Sequence, residues 1–183
     1  MTRTALAVPT LALMLAMALS GCTSAPVAPE AAATTASSPT PSPAPTPELL
    51  TTEAAGARYL SSVCVSNKEN AEWSAAAQVP GQSLEALHAA AAEARDANRA
   101  SAQILDDPMF VWPDTVAEDI GTVRDSLLTG VSIYEQLATS PTLESLNSVV
   151  FTDVEGSAEA GPRIRLRLNL SADTAAGCDA YTQ

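Results

Sequence analysis

Apolar residues recur at steps of three and four positions along much of the second half of the chain. In the clearest segment, from Asp114 to Thr139, the recurring positions are Val116, Ile120, Val123, Leu127, Val131, Tyr134 and Ala138. This spacing places the side chains on one face of an α-helix. Pro113 stands at the entrance, and Asp114 complements the positive end of the helix dipole. The pattern predicts an amphipathic helix over the whole segment.

A second helix is predicted from Ser83 to Leu105. Ser83 is a favourable N-cap, and Asp106-Asp107-Pro108 ends the periodic pattern. Small side chains occupy the middle of its inner face, which consists of Leu84, Leu87, Ala91, Ala94, Ser101 and Leu105. Small side chains let a neighbouring helix approach closely, so we expect a tight helix–helix contact along this face.

The preceding segment divides into two predicted helices. Thr52 to Cys64 carries apolar side chains on one side, and Ser66 with Glu69 matches a capping box. Because a capping box marks a helix start, the sequence predicts a separate short helix from Asn67 to Gln78. Pro80-Gly81 ends it.

Two further segments complete the predicted fold. A fourth helix is expected from Ser140 through Val150, with Pro141 at its first position. The stretch Arg163–Leu170 alternates arginine with aliphatic residues, which is a strand pattern by period. Since no second strong strand could satisfy its backbone, we predict a helix there. The fold class is all-α: a small bundle of four to five helices over residues 48–183.

The beginning of the chain has a different pattern. Arg3 precedes a largely apolar run from Ala5 to Leu19. At about 15 residues this run has the length of the hydrophobic region of a signal peptide, and it is shorter than the roughly 20 residues of a membrane-spanning helix. The sequence therefore predicts a signal for export.

The apolar run ends in Leu19-Ser20-Gly21-Cys22, which resembles the lipobox of bacterial lipoproteins. In that family the cysteine thiol receives a diacylglyceryl group, and signal peptidase II cuts just before the cysteine. The resemblance implies a lipoprotein signal peptide over residues 1–21 and lipidation of Cys22. The chain would then be anchored to the extracytoplasmic face of the cell membrane by two or three acyl chains. The alternative is an ordinary secretory signal with an incidental cysteine.

Residues 22–47 contain little that could build a core. Alanine, threonine and serine dominate there, together with prolines at positions 26, 29, 39, 41, 43, 45 and 47. The Pro-x-Pro run favours polyproline II, which buries no apolar surface. We interpret the segment as a disordered tether that reaches roughly 75 Å when extended at ~3.1 Å per residue.

The chain is strongly acidic, with 21 acidic and nine basic residues and a net charge of −12. Such a surface repels nucleic acid and anionic lipid headgroups alike. No nucleic-acid partner is therefore expected. Contact with the membrane is expected through the covalent lipid on Cys22.

Two cysteines are left when Cys22 carries lipid. Cys64 and Cys178 form an even pair in an oxidising compartment, which favours a disulfide between them. The alternatives are two separate buried thiols and a redox site, although the chain has no Cys-x-x-Cys pair.

Side chains for catalysis or metal binding are sparse. His88 is the single histidine, so zinc sites and histidine-dependent triads lack partners. The acidic residues Asp106, Asp107, Asp114, Glu118 and Asp119 lack calcium-loop spacing, and we interpret them as a solvated face with helix caps. Phosphate-loop and nucleophile-elbow motifs are missing as well. We predict no catalytic residue, metal site or cofactor.

Two groups of residues are candidates for binding. Met109–Pro113 is the most apolar stretch outside the predicted helices; it is expected to plug one end of the bundle, and the alternative is a ligand or interaction contact at Phe110 and Trp112. Arg163, Arg165 and Arg167 are expected to pair with acids of neighbouring helices. Anion binding is the alternative for the three arginines.

Several short features carry a second resemblance: Tyr59-Leu60, Val63-Cys64, Asn67, Trp112-Pro113, and Arg163–Leu170 followed by Cys178. They are similar to small, alanine-rich, uncharacterised lipoproteins of high-GC Gram-positive bacteria, over most of residues 52–178. The chain departs at Val65, where those relatives often have proline. The resemblance implies a helical domain with two paired cysteines, and it implies no activity.

Function is the least determined property. We expect a non-enzymatic binding or cell-envelope interaction module, whose partner is an envelope protein or a small apolar ligand. The alternative is a ligand-sensing or solute-binding accessory that uses Phe110 and Trp112. An envelope hydrolase with a carboxylate pair is the least favoured class, because nothing in the sequence selects such a pair.

Overall fold

A computed structural model describes residues 46–182 and shows an all-α fold, as predicted. The described residues contain six helices and two very short strands. In chain order these are β1 Glu48–Leu49, α1 Thr52–Ala77, α2 Leu84–Leu105, β2 Phe110–Val111, α3 Asp114–Thr139, α4 Leu143–Asn147, α5 Ser157–Arg167 and α6 Thr174–Thr182. The predicted signal peptide, Cys22 and nearly all of the predicted tether lie outside the described residues. Within the described part, no helix is both long and apolar enough to span a bilayer.

Helix α1 is continuous, and the predicted restart at Ser66 is wrong. The Ser66 side chain is buried, and its hydroxyl donates to the main-chain carbonyl of Val63, one turn earlier, over 3.1 Å. A serine that bonds to the preceding turn fits inside an uninterrupted helix, so it does not act as a cap. The true N-cap is Thr51, whose Oγ1 accepts from the Ala54 amide at 3.2 Å.

Helices α2 and α3 agree with the sequence prediction. Ser83 caps α2 through the Ala86 amide, and α3 covers the predicted segment from its first residue to its last. Helix α2 packs between α1 and α3. Ala91 and Ala94 are completely buried at these contacts, which fits the close approach expected from a face of small residues.

The helix predicted from Ser140 to Val150 is too long at both ends. Only Leu143–Asn147 is helical; Thr142 is the N-cap, and Leu143 rather than Pro141 is the first helical residue. The Thr142 hydroxyl accepts from the Ser145 amide, and the Ser145 hydroxyl accepts from the Thr142 amide, both at 3.1 Å. This reciprocal capping box satisfies two backbone donors and fixes the N-cap one residue after the proline.

The ambiguous stretch after Pro162 is helical, as predicted, through Arg167. It forms the second half of α5, which packs against α3. Leu168 is the C-cap, and Asn169 has a left-handed backbone with φ of 56°. Asparagine tolerates this conformation better than most residues, which suits it to end the helix.

A disulfide joins Cys64 of α1 to Cys178 of α6, as predicted, with a Cα–Cα distance of 5.4 Å. The two cysteines are separated by 114 positions in the sequence. The bridge fixes the C-terminal helix α6, which the sequence did not predict, against the middle of α1.

The short strands form a parallel pair that was also not predicted. Glu48 is opposite Phe110, and Leu49 is opposite Val111. The Leu50 amide donates to the Val111 carbonyl at 2.9 Å, so the pairing holds the segment before α1 against the α2–α3 connection.

The core consists of two apolar clusters. The larger one contains Val116 and Ile164 and lies between α1, α3 and α5. The smaller one contains Leu87, Leu137 and Leu146 and lies between α2, α3 and α4. A cavity borders both clusters, and it is the candidate site.

Candidate functional site

The two aromatic residues proposed from sequence as contacts have packing roles. Trp112 is 9% exposed, and its indole Nε1 donates to the Leu105 carbonyl at 3.0 Å. Phe110 is half-buried, with the Arg58 guanidinium carbon 3.9 Å from its ring centroid. Neither residue lines the cavity described next. A ligand contact at Phe110 or Trp112 stays a prediction.

The cavity has a volume of about 450 Å³. It lies between α1, α3 and α5, with Asn98 of α2 on one side and residues 151–153 of the α4–α5 connection on another. This size is within the range of small-molecule sites, roughly 300–1,000 Å³. More than half of the lining side chains carry a polar group, which is unusual for a space between packed helices.

Three asparagines form a polar wall of the cavity. Asn67 and Asn70 lie on α1, and Asn98 reaches them from α2. The Asn98 amide nitrogen donates to Asn70 Oδ1 at 2.7 Å and to the Ala94 carbonyl at 2.6 Å. Helix α3 approaches this wall closely at Gly130, where a Cβ atom would lie 3.1 Å from Asn98 Oδ1.

An aromatic wall lies beside the polar one. The ring centroids of Trp73 and Tyr134 are 5.6 Å apart, and that of Phe151 is 5.5 Å from Trp73 and 6.0 Å from Tyr134. Tyr134 and Phe151 line the cavity. The Phe151 side chain is half exposed, so it offers an apolar surface to a bound molecule.

Arg165 of α5 borders the cavity with an unpaired charge. The residue is 4% exposed, and its Nη1 donates to the Ser171 carbonyl at 3.0 Å. Its Nη2 is buried and has no hydrogen-bond partner. Among the residues that the structure describes, no carboxylate lies within ion-pair distance of this guanidinium. An uncompensated buried charge costs several kcal/mol, so Arg165 is an unusual residue for a structural role alone.

The neighbouring arginines behave differently. Arg163 and Arg167 both donate to the carboxylate of Asp119 on α3, over distances of 2.6 to 2.9 Å. Asp119 is 4% exposed. The prediction that the three arginines pair with acids is therefore correct for Arg163 and Arg167 and wrong for Arg165. The reason is the helical path of α5, which directs residues 163 and 167 toward α3 and residue 165 toward α1 and α6.

Tyr59 lies beside Arg165 and also lines the cavity. The Arg165 guanidinium carbon is 5.9 Å from the Tyr59 ring centroid. Burial raises the pKa of the Tyr59 hydroxyl above its ordinary value, and the positive charge of Arg165 offsets part of that effect. The hydroxyl therefore keeps its proton near neutral pH and can donate a hydrogen bond.

The other candidates have structural roles. The His88 Nε2 atom lies 2.8 Å from the Ser140 carbonyl oxygen, which connects α2 to the end of α3. Asp106 pairs with Arg124 at the exposed surface, which agrees with the interpretation of the acidic residues as a solvated face. Asp119 departs from that interpretation, because it is buried and paired. Within the described residues, no cluster of histidine, cysteine or carboxylate side chains could hold a metal ion.

One residue in the sequence, Asn98, indicates a polar site inside the helical bundle. Asn98 continues the buried spacing of α2 between Ala94 and Ser101, and it is only 2% exposed. A polar amide at a core position indicates a buried hydrogen-bond network. Tyr59, Asn70 and the 151–153 segment gave no comparable signal, because only the packing of distant segments brings them together.

Comparison with protein-family models, with curated proteins and with solved structures finds no match to this chain.

Proposed function

We propose that this chain is a lipid-anchored extracytoplasmic lipoprotein whose helical domain binds a small molecule without transforming it. The observation that carries the proposal is the cavity of about 450 Å³ between α1, α3 and α5. Its amide wall and aromatic wall give a ligand both hydrogen-bond partners and an apolar surface, the usual combination in small-molecule sites.

Binding is favoured over catalysis by the residues of the lining. Among the described residues that border the cavity, Asp153 is the single carboxylate, and neither a histidine nor a free thiol is present. The serine hydroxyls of the lining, at Ser66, Ser126 and Ser157, therefore have no histidine beside them to act as a general base.

The N-terminal sequence supports the membrane location in this proposal. The lipobox ending in Cys22 supplies an anchor, and the proline-rich tether would hold the domain away from the bilayer. Replacing Cys22 with serine removes the thiol that accepts the lipid. We expect Cys22→Ser to move the protein from the membrane fraction to the aqueous fraction; retention in the membrane fraction would contradict the anchor.

The cavity itself is tested with a filling substitution. Ser126 lies on the cavity wall and is half-buried, so Ser126→Trp places an indole in the space where a ligand would bind. Ser132 is exposed on the same helix and does not line the cavity, and Ser132→Trp is therefore the matched control. Both variants are made in the full-length, detergent-purified protein.

The readout is the melting temperature in the presence of small-molecule fractions from the cell envelope of the producing strain. We expect at least one fraction to raise the melting temperature of the wild type and of Ser132→Trp, and to leave Ser126→Trp unchanged. The proposal fails if no fraction stabilises the wild type. It also fails if Ser126→Trp responds as the wild type does.

A further inference from the structure

We infer that the cavity binds a small, hydroxyl-rich organic acid, of the sugar-acid class, whose carboxylate is recognised by Arg165. This inference rests on the proposed function, because it names the ligand of the same cavity. Three properties of the site lead to it: a buried cation with no ionic partner among the described residues, a single acidic residue in the described lining, and a lining of amides and hydroxyls beside an aromatic wall.

The buried cation indicates an anionic group. Arg165 borders the cavity, and its Nη2 lacks any hydrogen-bond partner although the residue is more than nine-tenths buried. The Ser171 carbonyl accepts a hydrogen bond from Nη1 and so restrains the guanidinium. A planar guanidinium held in this way matches the two oxygens of a carboxylate. A bound anion would supply a partner that none of the described residues supplies.

The acidic surroundings favour a single negative charge. Asp153 lines the same cavity, and the whole chain carries a net charge of −12. A dianion such as phosphate would be repelled by both and would meet only one cation at the site. A carboxylate carries one negative charge, which the single positive charge of Arg165 can compensate.

A second donor is available for the same group. Tyr59 lines the cavity next to Arg165, and its hydroxyl is protonated near neutral pH, as a tyrosine is at its ordinary pKa; burial raises that pKa further. A protonated phenol donates to a carboxylate oxygen, whereas a phenolate would repel it. Two donors of different kinds on one wall favour an acid over a neutral molecule.

The remaining lining favours hydroxyl groups on the rest of the ligand. Asn67, Asn70, Ser66 and Thr152, which carry amides and hydroxyls, line the cavity. The rings of Tyr134 and Phe151 offer a flat apolar surface on another side. A ring with hydroxyls at its rim and C–H groups on its faces satisfies both kinds of wall at once.

The test compares an acidic sugar with its neutral counterpart. The probes are glucuronate, glucose and inorganic phosphate, titrated calorimetrically into full-length protein in detergent. We expect the wild type to bind glucuronate at least tenfold more tightly than glucose, and to bind phosphate more weakly than glucuronate.

Substitutions then assign this preference to Arg165. Arg165→Met removes the charge, and we expect it to abolish the preference for glucuronate over glucose. Arg165→Gln also removes the charge but keeps an amide that can donate to the Ser171 carbonyl. If Arg165→Met does not fold, this variant tests whether the preference for glucuronate depends on the charge. Arg163→Met is the matched control: it makes the same change of charge on the same helix outside the cavity lining, and the preference should persist.

A purely structural Arg165 gives a different result, because its loss would change the affinities for glucuronate and glucose by the same factor. That outcome overturns the inference, and so does a wild type that binds glucose as tightly as glucuronate or that binds neither sugar. None of these outcomes decides the proposed function, which the melting-temperature experiment with envelope fractions tests separately. If Ser126→Trp binds glucuronate as the wild type does, the cavity is not the site and both proposals fail.

Discussion

Ser62 of α1 and Ser101 of α2 exchange hydrogen bonds across the helix interface, each hydroxyl donating to the main-chain carbonyl of the other residue. The Ser62 Oγ atom lies 2.9 Å from the Ser101 carbonyl oxygen, and the Ser101 Oγ atom lies 2.6 Å from that of Ser62. Both side chains are fully buried. The pair satisfies two buried polar groups and keeps the side chains small, so that α1 and α2 can approach closely.

We expect Ser62→Ala to lower the free energy of unfolding by about 1 kcal/mol, because one buried hydrogen bond is lost without overpacking. Ser62→Val adds bulk to the same contact and should cost about 2 kcal/mol or more. Urea denaturation measures both values. Ser132→Ala, at an exposed position of α3, is the control and should change stability by less than about 0.5 kcal/mol. A valine variant as stable as the wild type would contradict the close contact.

The disulfide between Cys64 and Cys178 is expected to supply a large part of the stability of the domain. It closes a loop across 114 positions, and a loop of that length corresponds to about 5 kcal/mol in the chain-entropy model. The double variant Cys64→Ser/Cys178→Ser should therefore unfold at a much lower urea concentration than the oxidised wild type.

Reductant provides the control for the disulfide. It should lower the stability of the wild type toward that of the double variant and leave the double variant unchanged. A thiol at either position that reacts with a labelling reagent in the denatured, unreduced protein would show that the bridge does not form.

Asp119 is expected to be the most important carboxylate for stability. It is buried on α3 and receives hydrogen bonds from Arg163 and Arg167, so it connects α5 to α3. Asp119→Asn keeps the shape but removes the charge, and we expect a loss of about 2 kcal/mol in urea denaturation, since bonds to a charged group are stronger than neutral ones. Asp96→Asn, at an exposed ion pair with Arg95, should cost less than about 1 kcal/mol. Equal effects of the two variants would refute the special role of Asp119.

The stability of the domain is expected to fall at alkaline pH. Burial raises the pKa of Tyr59 and of Tyr134 above 10.0, the ordinary value for tyrosine. The unfolded chain therefore loses its tyrosine protons first as the pH rises. The stabilisation from each tyrosine is fully present below about pH 10 and is lost as the pH rises from there through the raised pKa of the folded state.

Urea denaturation at pH 9, 10 and 11 measures this dependence. Tyr59→Phe should have a shallower loss of stability than the wild type, and Tyr59→Phe/Tyr134→Phe a shallower one still. If the single variant loses stability as steeply as the wild type, the hydroxyl of Tyr59 does not contribute to the pH dependence.

Local signals predicted the helices well and their ends less well. The apolar pattern of α3 predicted the whole helix because every third or fourth residue of Asp114–Thr139 faces the core. Ser83 is the N-cap of α2, as expected for a serine that precedes an apolar pattern. At Ser66 the same kind of local signal failed. The capping-box spacing is present there, but tertiary packing buries the serine and holds α1 straight, which overrides a preference of about 1 kcal/mol.

The candidate site was much less predictable than the helices. The triplet of arginines was recognised from the sequence, yet alternation along a strand-like pattern could not separate Arg165 from Arg163 and Arg167. Helix α5 runs between α3 on one side and α1 with α6 on the other. Only this path gives Arg163 and Arg167 the same acid, and leaves Arg165 without an acid among the described residues.

The all-α fold class, the extent of α2 and α3, and the acidic charge depend on residues that are close along the chain, and they were predictable for that reason. The even pair of cysteines also predicted the disulfide, since the choice of partners was so small. The place of α6, the pairing of β1 with β2, and the cavity that Tyr59, Asn98 and Arg165 border follow from packing between distant segments. These relationships join residues that are tens of positions apart, and burial and charge compensation between distant segments have no periodic signature in the sequence.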